Sequence, residues 1–388
     1  VGLGGAVRLV TFGKACNITS PIVGRILRST VGSRPESVLL VKDHVPIDKD
    51  LSGYRAVITT APPDRSERFP TSLPSVTGLR DQDHLRDGDV VVLEPSGTVR
   101  TLYRPDSVHN SLFVTERCNC NCLMCPQPPR DEDDVKHFQE INNRLVCLID
   151  PATTVLGITG GEPTLLRDDL CTLIETLKAR LPQIHIQLLT NGRLFAWPDF
   201  TARFASVDHP SLLVAVSLCS DIVILHDYIV QAKGAFDQTI LGLHQLARWH
   251  QQIEIRIVLH RLTVSRLVPL VEYIYRNLTF AVHVALMGME PTGYARYHRA
   301  KLDISAEQYQ DALKEAVGYL SIRGMPVSLY NLPLCVLPES LWKFARRSIS
   351  DWKVQYPPAC DECSQKDKCG GLFSSDSDHA PSFGLRPL

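Results

Sequence analysis

The stretch "SLFVTERCNCNCLMC" (111–125) decides the fold. Its opening, "SLFVTE", is an apolar and β-branched run of strand length. The residues that follow hold four cysteines: Cys118, Cys120, Cys122 and Cys125. A strand that runs straight into a cysteine-rich segment places that segment at its carboxyl end. Where neighbouring strands are parallel, such a loop shares a rim with their ends, and that rim carries the chemistry in αβ barrels.

Five further apolar runs follow: "TVLGIT" (154–159), "HIQLLT" (185–190), "LLVAVSL" (212–218), "IEIRIVLH" (253–260) and "AVHVALMG" (281–288). Amphipathic, helix-length segments lie between them near 135–149, 167–180, 197–206, 236–250 and 265–277. Alternating strands and helices imply parallel βαβ units with right-handed crossovers. Six strands are two fewer than a closed eight-stranded barrel. The predicted fold is therefore α/β, a partial (β/α)6 barrel over 110–303. Residues 1–109 carry short β-like runs, "SVLLVKD", "YRAVITTA", "DVVVLEP" and "TVRTLYR", broken by Pro, Gly and Asp. They predict a small, mostly β N-terminal domain with a hairpin turn at "EPSG" (94–97). "ISAEQYQDALKEAVGYLSIRG" (304–324) predicts a helix stopped by Gly324. It opens a third region, 304–388, with a second group of cysteines and a Ser/Asp-rich end (374–382) expected to be loose.

The chain has 388 residues, 44% hydrophobic, and a net charge of −1. That balance gives no pointer to nucleic acid or to an anionic membrane. The run "LLVAVSLC" (212–219) is too short to span a bilayer. The first residues lack the charged and apolar regions of a secretion signal, so a cytoplasmic location is expected. In that compartment disulfides are rare, and clustered cysteines point to metal. Of the twelve cysteines, Cys16, Cys147, Cys171 and Cys219 are isolated and the rest fall into two groups of four.

In the first group, Cys118, Cys122 and Cys125 have the spacing Cys-x3-Cys-x2-Cys. Three thiolates this close suit an iron–sulfur cluster. Three ligands on a [4Fe–4S] cube leave one iron open for chemistry, by the logic of an open catalytic zinc. A zinc loop is the alternative, but three cysteines without a nearby His make a poor closed zinc site. Cys120 is then the extra thiol, expected to point away from the cube or pack locally.

This spacing, directly after the first strand, resembles the radical S-adenosylmethionine (radical SAM) superfamily. The resemblance implies that the open iron binds the cofactor's amino and carboxylate groups and that the cluster's electron releases a 5′-deoxyadenosyl radical. "GITGGEPTL" (157–165) looks like the family's GGEP element, so that Gly160, Gly161, Glu162 and Pro163 would hold the ammonium end of S-adenosylmethionine. The two glycines permit close backbone approach and Glu162 adds an acceptor. Thr190 and Asn191 in "LLTNG" (188–192) are similar to an element near the cofactor. Ser217 ends the fourth strand, and Arg256 on the fifth is placed to meet a carboxylate. The cysteine loop, GGEP, TNG and Ser217 all fall at carboxyl ends of strands.

The second group is Cys335, Cys360, Cys363 and Cys369, in "NLPLC" (331–335) and "PPACDECSQKDKCGG" (357–371). Four thiolates can close a zinc site or fully ligate a [4Fe–4S] cluster, and spacing does not choose. The "CGG" segment resembles the SPASM and shorter twitch extensions of radical SAM peptide-modifying enzymes. That resemblance implies one auxiliary cluster. The stretches "LRDGDVVVLEPSGTVRTLYRPDSVHNSLFVTERCNCNCLMCPQPP" (85–129), "LMGMEPTGYA" (286–295) and "CDECSQKDKCGGLFSS" (360–375) resemble the His-Xaa-Ser system radical SAM maturases. The implied partners are a ribosomally made precursor peptide, a second radical SAM protein and an external electron donor, with no nucleic acid and no membrane. A radical SAM enzyme acting on a nucleotide or cofactor precursor, and a non-catalytic zinc-binding interaction protein, are the alternatives.

Glu290, at the end of the sixth strand, and His260, at the end of the fifth, are candidate catalytic residues; His226 and Asp227 follow the fourth strand. A lone His is more often a packing residue. "YARYHRAK" (294–301), with Arg296, Arg299 and Lys301, could grip an acidic peptide or form a solvated face. The acids of "RDEDDVK" (130–136) favour the start of the helix behind them. The N-terminal domain is expected to recognise a leader or partner, or to cover the barrel's base.

Overall fold

The computed structural model describes residues 9–28, 35–41, 51, 53–62 and 72–375. The parts of "SVLLVKD" past 41 and of the Ser/Asp-rich end past 375 lie outside the described residues.

The N-terminal region forms one eight-stranded sheet: β1 (Val10–Phe12), β2 (Lys14–Cys16), β3 (Ile22–Leu27), β4 (Ser37–Val41), β5 (Ala56–Thr59), β6 (Ser75–Thr77), β7 (Val90–Leu93) and β8 (Thr98–Tyr103). Its order is β1-β8-β7-β3-β4-β5-β6-β2. The run from β3 to β6 is parallel, and the remaining pairings are antiparallel. "EPSG" is the turn between β7 and β8: Glu94 N donates to Thr98 O and Gly97 N to Glu94 O, both at 2.9 Å.

A buried ion pair fixes the start of β7 to the end of β8. Arg104 places Nη2 3.2 Å and Nε 3.3 Å from the Asp89 carboxylate, and Nη2 also donates to His84 O at 2.6 Å. Both side chains are buried. Removing one partner strands the other charge without water. Asp89→Ala is therefore expected to cost about 3–5 kcal/mol. A fall in the urea midpoint at unchanged slope checks it; an unaltered midpoint refutes it.

The second sheet is parallel and carries the candidate site. Its elements in chain order are β9 (Ser111–Phe113), α1 (Val135–Val146), β10 (Val155–Thr159), α2 (Asp168–Arg180), β11 (His185–Thr190), α3 (Pro198–Ala205), β12 (Leu212–Ser217), α4 (Val223–Val230), α5 (Ala235–Arg248), β13 (Gln252–Leu259), α6 (Arg261–Val264), α7 (Leu267–Asn277), β14 (His283–Gly288), α8 (Gly293–Tyr297), α9 (Arg299–Leu302), α10 (Ala306–Ile322), β15 (Val327–Tyr330) and β16 (Ala345–Arg346). The strands pair in sequence order from β9 to β16, with no β9–β16 pairing, so the barrel stays open. The six expected strands are present. Two short ones join them from beyond residue 303, because "VSLY" and "AR" are too short to show a period. α4 is a further addition: "VILHDYIV" has no polar stripe to mark a helix.

Alternate strand residues face opposite ways. Leu156, Ile158, Ile186, Leu188, Val214, Val216, Ile253, Ile255, Val284 and Leu286 join the helices in one core. Their neighbours Ser217, Glu254, Arg256 and His283 therefore face the inner side. Val23, Val90, Val92 and Tyr103 of the first sheet enter the same core beside Ile141 and Leu145 of α1. Arg25 donates to Leu148 O, and Arg144 Nη1 to Pro21 O at 3.2 Å. The N-terminal sheet is thus seated on α1. A short hairpin, β17 (Val354–Gln355) with β18 (Leu372–Phe373), frames the second cysteine group. Among the described residues, no helix is long and apolar enough to cross a membrane.

Candidate active site

The ladder between β9 and β10 continues past both strands. Val114 N donates to Thr159 O (2.9 Å), Gly161 N to Thr115 O (2.6 Å) and Glu162 N to Arg117 O (2.7 Å). The GGEP turn therefore lies against the entry to the cysteine loop. A Cβ on Gly161 would fall 2.0 Å from Arg117 O, and one on Gly160 2.5 Å from Thr115 O. The glycines admit the chain's own backbone, a requirement separate from the approach to a ligand that the sequence suggested. Gly161→Ala is accordingly expected to displace the loop and reduce bound iron to a minor fraction, read by metal analysis against wild type.

Glu162 is buried and joins three strand ends. Its Oε1 accepts from Thr164 N (3.0 Å), Thr164 Oγ1 (2.5 Å) and Thr190 Oγ1 (2.6 Å), and its Oε2 from Asn191 N (2.7 Å). Burial raises this carboxyl, and the donors from Asn191, Thr164 and Thr190 oppose that. Oε2 takes one bond and keeps accepting capacity, the requirement for a further ammonium donor. Pro163 opens the short turn 163–166, whose first N–H, that of Thr164, Glu162 caps.

The cysteine loop rests on α4: Asn121 N donates to Val230 O (3.1 Å) and Leu123 N to Ile229 O (2.9 Å). Cys118 and Cys122 each hydrogen-bond Cys120, and these bonds, Cys118 first, hold the Cys120 thiol well below its ordinary range. Cys120 packs locally, one of the two arrangements expected for it, buried beside Leu123, Met124 and Cys219. Arg193 Nη1 (3.3 Å) and Asn191 Nδ2 (3.6 Å) draw its sulfur inward. Cys125 is turned aside, its Sγ donating to Gln127 O at 2.9 Å. Asp134 of the acidic run also holds the loop's entry, accepting from Thr115 Oγ1 (2.7 Å) and Glu116 N (2.6 Å).

Ser217 and Arg256 are paired across β12 and β13. Arg256 Nε donates to Glu254 Oε1 (2.6 Å), Glu254 Oε2 meets His283 Nδ1 (2.7 Å), and His283 Nε2 meets Ser328 Oγ (3.0 Å). Burial alone would raise the Glu254 carboxyl, but His283 and Arg256 outweigh it and hold it below its usual range. Sequence reading did not single out Glu254 or His283. The signal was available: polar residues at 254 and 256 alternate with isoleucines.

The histidine candidates are packing residues in this arrangement. His226 Nδ1 accepts from Cys219 N (3.3 Å), and His260 Nδ1 from Thr263 N (3.4 Å), capping α6. Burial pushes each down to about 4. Their unfolded values lie near 6.5, so this stability is complete above pH ~6.5 and is lost as pH falls toward 4. Each is expected to add a slope of up to ~1.4 kcal/mol per pH unit in that window. Urea unfolding at pH 7 and pH 5 measures it, and an unchanged slope in His260→Gln removes His260 from the account. Asp227 accepts from Gly234 N (2.6 Å) and Phe236 N (2.9 Å) at the start of α5.

Glu290 pairs with Lys353 Nζ at 3.0 Å, tying the exit of β14 to the C-terminal region. The following residues clasp the cysteine loop. Thr292 Oγ1 donates to Pro126 O (3.2 Å) and Tyr294 N to Cys125 O (2.8 Å). At Gly293, with φ 57°, a Cβ would lie 2.5 Å from Pro126 O. Two of the stretches that carry the maturase resemblance thus touch. Arg299 pairs with Asp303 (3.0 Å), while Arg296 and Lys301 are exposed.

Cys335, Cys360, Cys363 and Cys369 line one small cavity of about 20 Å³. Burial, followed by the neighbouring Cys335, Cys369 and Cys363, raises the Cys360 thiol. Cys369 Sγ accepts from Leu334 N (3.3 Å) and Gly371 N (3.4 Å), the donors a thiolate needs. A cleft of about 300 Å³ adjoins it at the carboxyl ends of β13, β14 and β15. Pro333 and Leu372 line both.

Among the described residues, no three His, Cys, Asp or Glu side chains are gathered tightly enough to grip an ion. The fit to a cluster rests on donor chemistry: soft thiols converge on one loop and on one cavity. The fit to S-adenosylmethionine rests on the spare Glu162 acceptor and on Arg256, whose Nη groups are not used by Glu254.

Comparison with known proteins bears on this site. The sequence model of the radical SAM superfamily matches residues 112–274. This chain carries a radical SAM domain. The matched span runs from β9 into α7 and includes every residue of the GGEP, TNG and three-cysteine elements. A GTP 3′,8-cyclase of Campylobacter jejuni subsp. doylei is 27% identical over 167 residues, covering 42% of this chain and 50% of the relative. The Streptomyces coelicolor GTP 3′,8-cyclase is 35% identical over 112 residues, covering 28% and 30%. The chain thus spans half or less of these relatives. Among solved structures, Streptococcus suis SuiB bound to S-adenosylmethionine is similar to 60% of this chain and 52% of its own, at TM-score 0.47 and 15% identity. For anSMEcpe with bound AdoMet and a Cp18Cys peptide the values are 57%, 62%, 0.42 and 17%.

Proposed function

We propose that this protein is a radical SAM enzyme that modifies a ribosomally made peptide of the His-Xaa-Ser type. The observation that carries the radical SAM part is the junction of the cysteine loop with the Glu162 hub at the carboxyl ends of β9, β10 and β11, inside the radical SAM domain. Cys118, Cys122 and Cys125 would hold the catalytic [4Fe–4S] cluster. Gly160, Gly161, Glu162, Pro163, Thr190, Asn191, Ser217 and Arg256 would hold S-adenosylmethionine. Once bound, these groups supply a 5′-deoxyadenosyl radical that takes a hydrogen atom from the substrate.

The chain's own residues orient the reactants. Glu162 offers its free acceptor site to the ammonium, and Glu254 steadies Arg256 for the carboxylate. Cys335, Cys360, Cys363 and Cys369 would hold an auxiliary [4Fe–4S] cluster. The peptide reading is supported by the cleft at the ends of β13 to β15. It is lined largely by apolar residues such as Met289, Leu332 and Phe373, and it shares Pro333 and Leu372 with the four-cysteine cavity.

A nucleotide substrate is the second reading, favoured by the names of the curated relatives. One experiment separates the two. The protein is purified without oxygen, reduced with dithionite and given S-adenosylmethionine, then supplied with GTP or co-expressed with candidate precursor peptides. Release of 5′-deoxyadenosine with a mass change in a peptide supports the first reading. Consumption of GTP supports the second, and a colourless protein holding zinc alone refutes both.

A further inference from the structure

We infer that the outer face of α4, α8 and α9 is a docking surface for an acidic protein that delivers single electrons to the cysteine loop. This rests on the radical SAM reading above. Exposed apolar residues elsewhere, such as Phe12, Val108 and Ile322, come from separate elements. Here Ile222, Val223, Ile224 and Tyr228 are exposed within one short stretch, Ile224 to 81%, and Tyr297 stands 82% exposed on α8. Lys301 joins the two parts, its Nζ 3.3 Å from the Tyr228 hydroxyl. A surface helix ordinarily turns a polar face outward. An exposed apolar group of this kind marks an interaction site.

The inner face of the same elements holds the loop. Leu225, Ile229 and Val230 of α4 and Leu302 of α9 pack with Cys118, Cys120 and Cys122. α4 accepts backbone bonds from Asn121 and Leu123, and α8 donates one to Cys125. A protein bound outside is separated from the three thiols by a single layer of short helices. Charge selects the partner. Lys233, just past α4, and Arg296, next to Tyr297, are exposed, as is Lys301, whose Nζ lies 5.9 Å from the Tyr228 ring centroid. The acids of these elements are engaged: Asp221 by Arg266, Asp303 by Arg299, and Asp227 by backbone N–H groups. A positive rim around an apolar centre suits an acidic partner. In each encounter the carrier loses one electron and the cluster gains it.

The test follows bleaching of the cluster's visible absorption under anaerobic conditions. The reductant is either a reduced acidic low-potential ferredoxin or dithionite. Two variants are compared with wild type: Ile224→Ser with Tyr297→Ser, and Lys233→Glu with Arg296→Glu and Lys301→Glu. Reduction by ferredoxin is expected to slow about tenfold or more in both and, in wild type, to slow with added salt. Dithionite should reduce all three proteins alike. Unchanged ferredoxin rates overturn the inference, as does a dithionite rate that falls in step. Ferredoxin rates that hold while peptide modification is lost make this a substrate surface and also overturn it. Wild-type protein without iron sinks the radical SAM reading itself, a result seen by metal analysis before any carrier is added.

Discussion

Cys122→Ala is expected to yield folded protein that has lost the iron of the first site and forms no 5′-deoxyadenosine. The expected iron content falls from about eight to about four per chain, since each [4Fe–4S] cluster holds four. Cys122 is the middle ligand of the three-cysteine set and lies between the bonds that the loop makes to α4, at Asn121 and Leu123. Two remaining thiols cannot retain a cube with one open corner. The control is Cys120→Ala. Cys120 touches both neighbouring thiols and receives Arg193 and Asn191, so its loss weakens hydrogen bonds around the loop and removes no ligand. Iron retained in Cys120→Ala and lost in Cys122→Ala and Cys125→Ala assigns the set. Iron lost in Cys120→Ala and kept in Cys125→Ala reassigns it to Cys118, Cys120 and Cys122, the thiols linked through Cys120.

Cys369→Ala is expected to remove the metal of the second site and to separate two steps of the reaction. Its sulfur is the acceptor for Leu334 N and Gly371 N. The substitution takes away one ligand and leaves two N–H groups without a partner, each costing about 1–3 kcal/mol where buried. Iron should again fall to about four per chain. Formation of 5′-deoxyadenosine should persist, because the first site keeps its thiols and the Glu162 hub, while peptide modification should be lost. Zinc lost in place of iron would make this a structural zinc site. Metal content that does not change would remove the four cysteines from any joint role.

The alternation of strands and helices from 111 to 288 was legible because each strand is buried on its helix side and the five expected helices each carry one apolar stripe. The spacing of Cys118, Cys122 and Cys125 and the "GGEP" turn were legible because both are local. What escaped was non-local or without pattern. α4 carries His226 and Asp227 but no polar stripe, so no period marks it, yet it holds the cysteine loop. β15 and β16 are too short to show alternation. The contacts of Cys120 depend on Arg193, more than seventy residues away in the chain. The ion pair of Glu290 depends on Lys353, and nothing in "GMEPTG" names that partner.

The clasp between Thr292–Tyr294 and Cys125–Pro126 has a consequence for engineering. Gly293 has no room for a side chain because the carbonyls of Cys125 and Pro126 occupy its space. The two segments are therefore one interlocking part, although more than 160 residues separate them. A chimera that imports a foreign cysteine loop without its matching β14 exit should assemble poorly, and transplanting both pieces together should restore it.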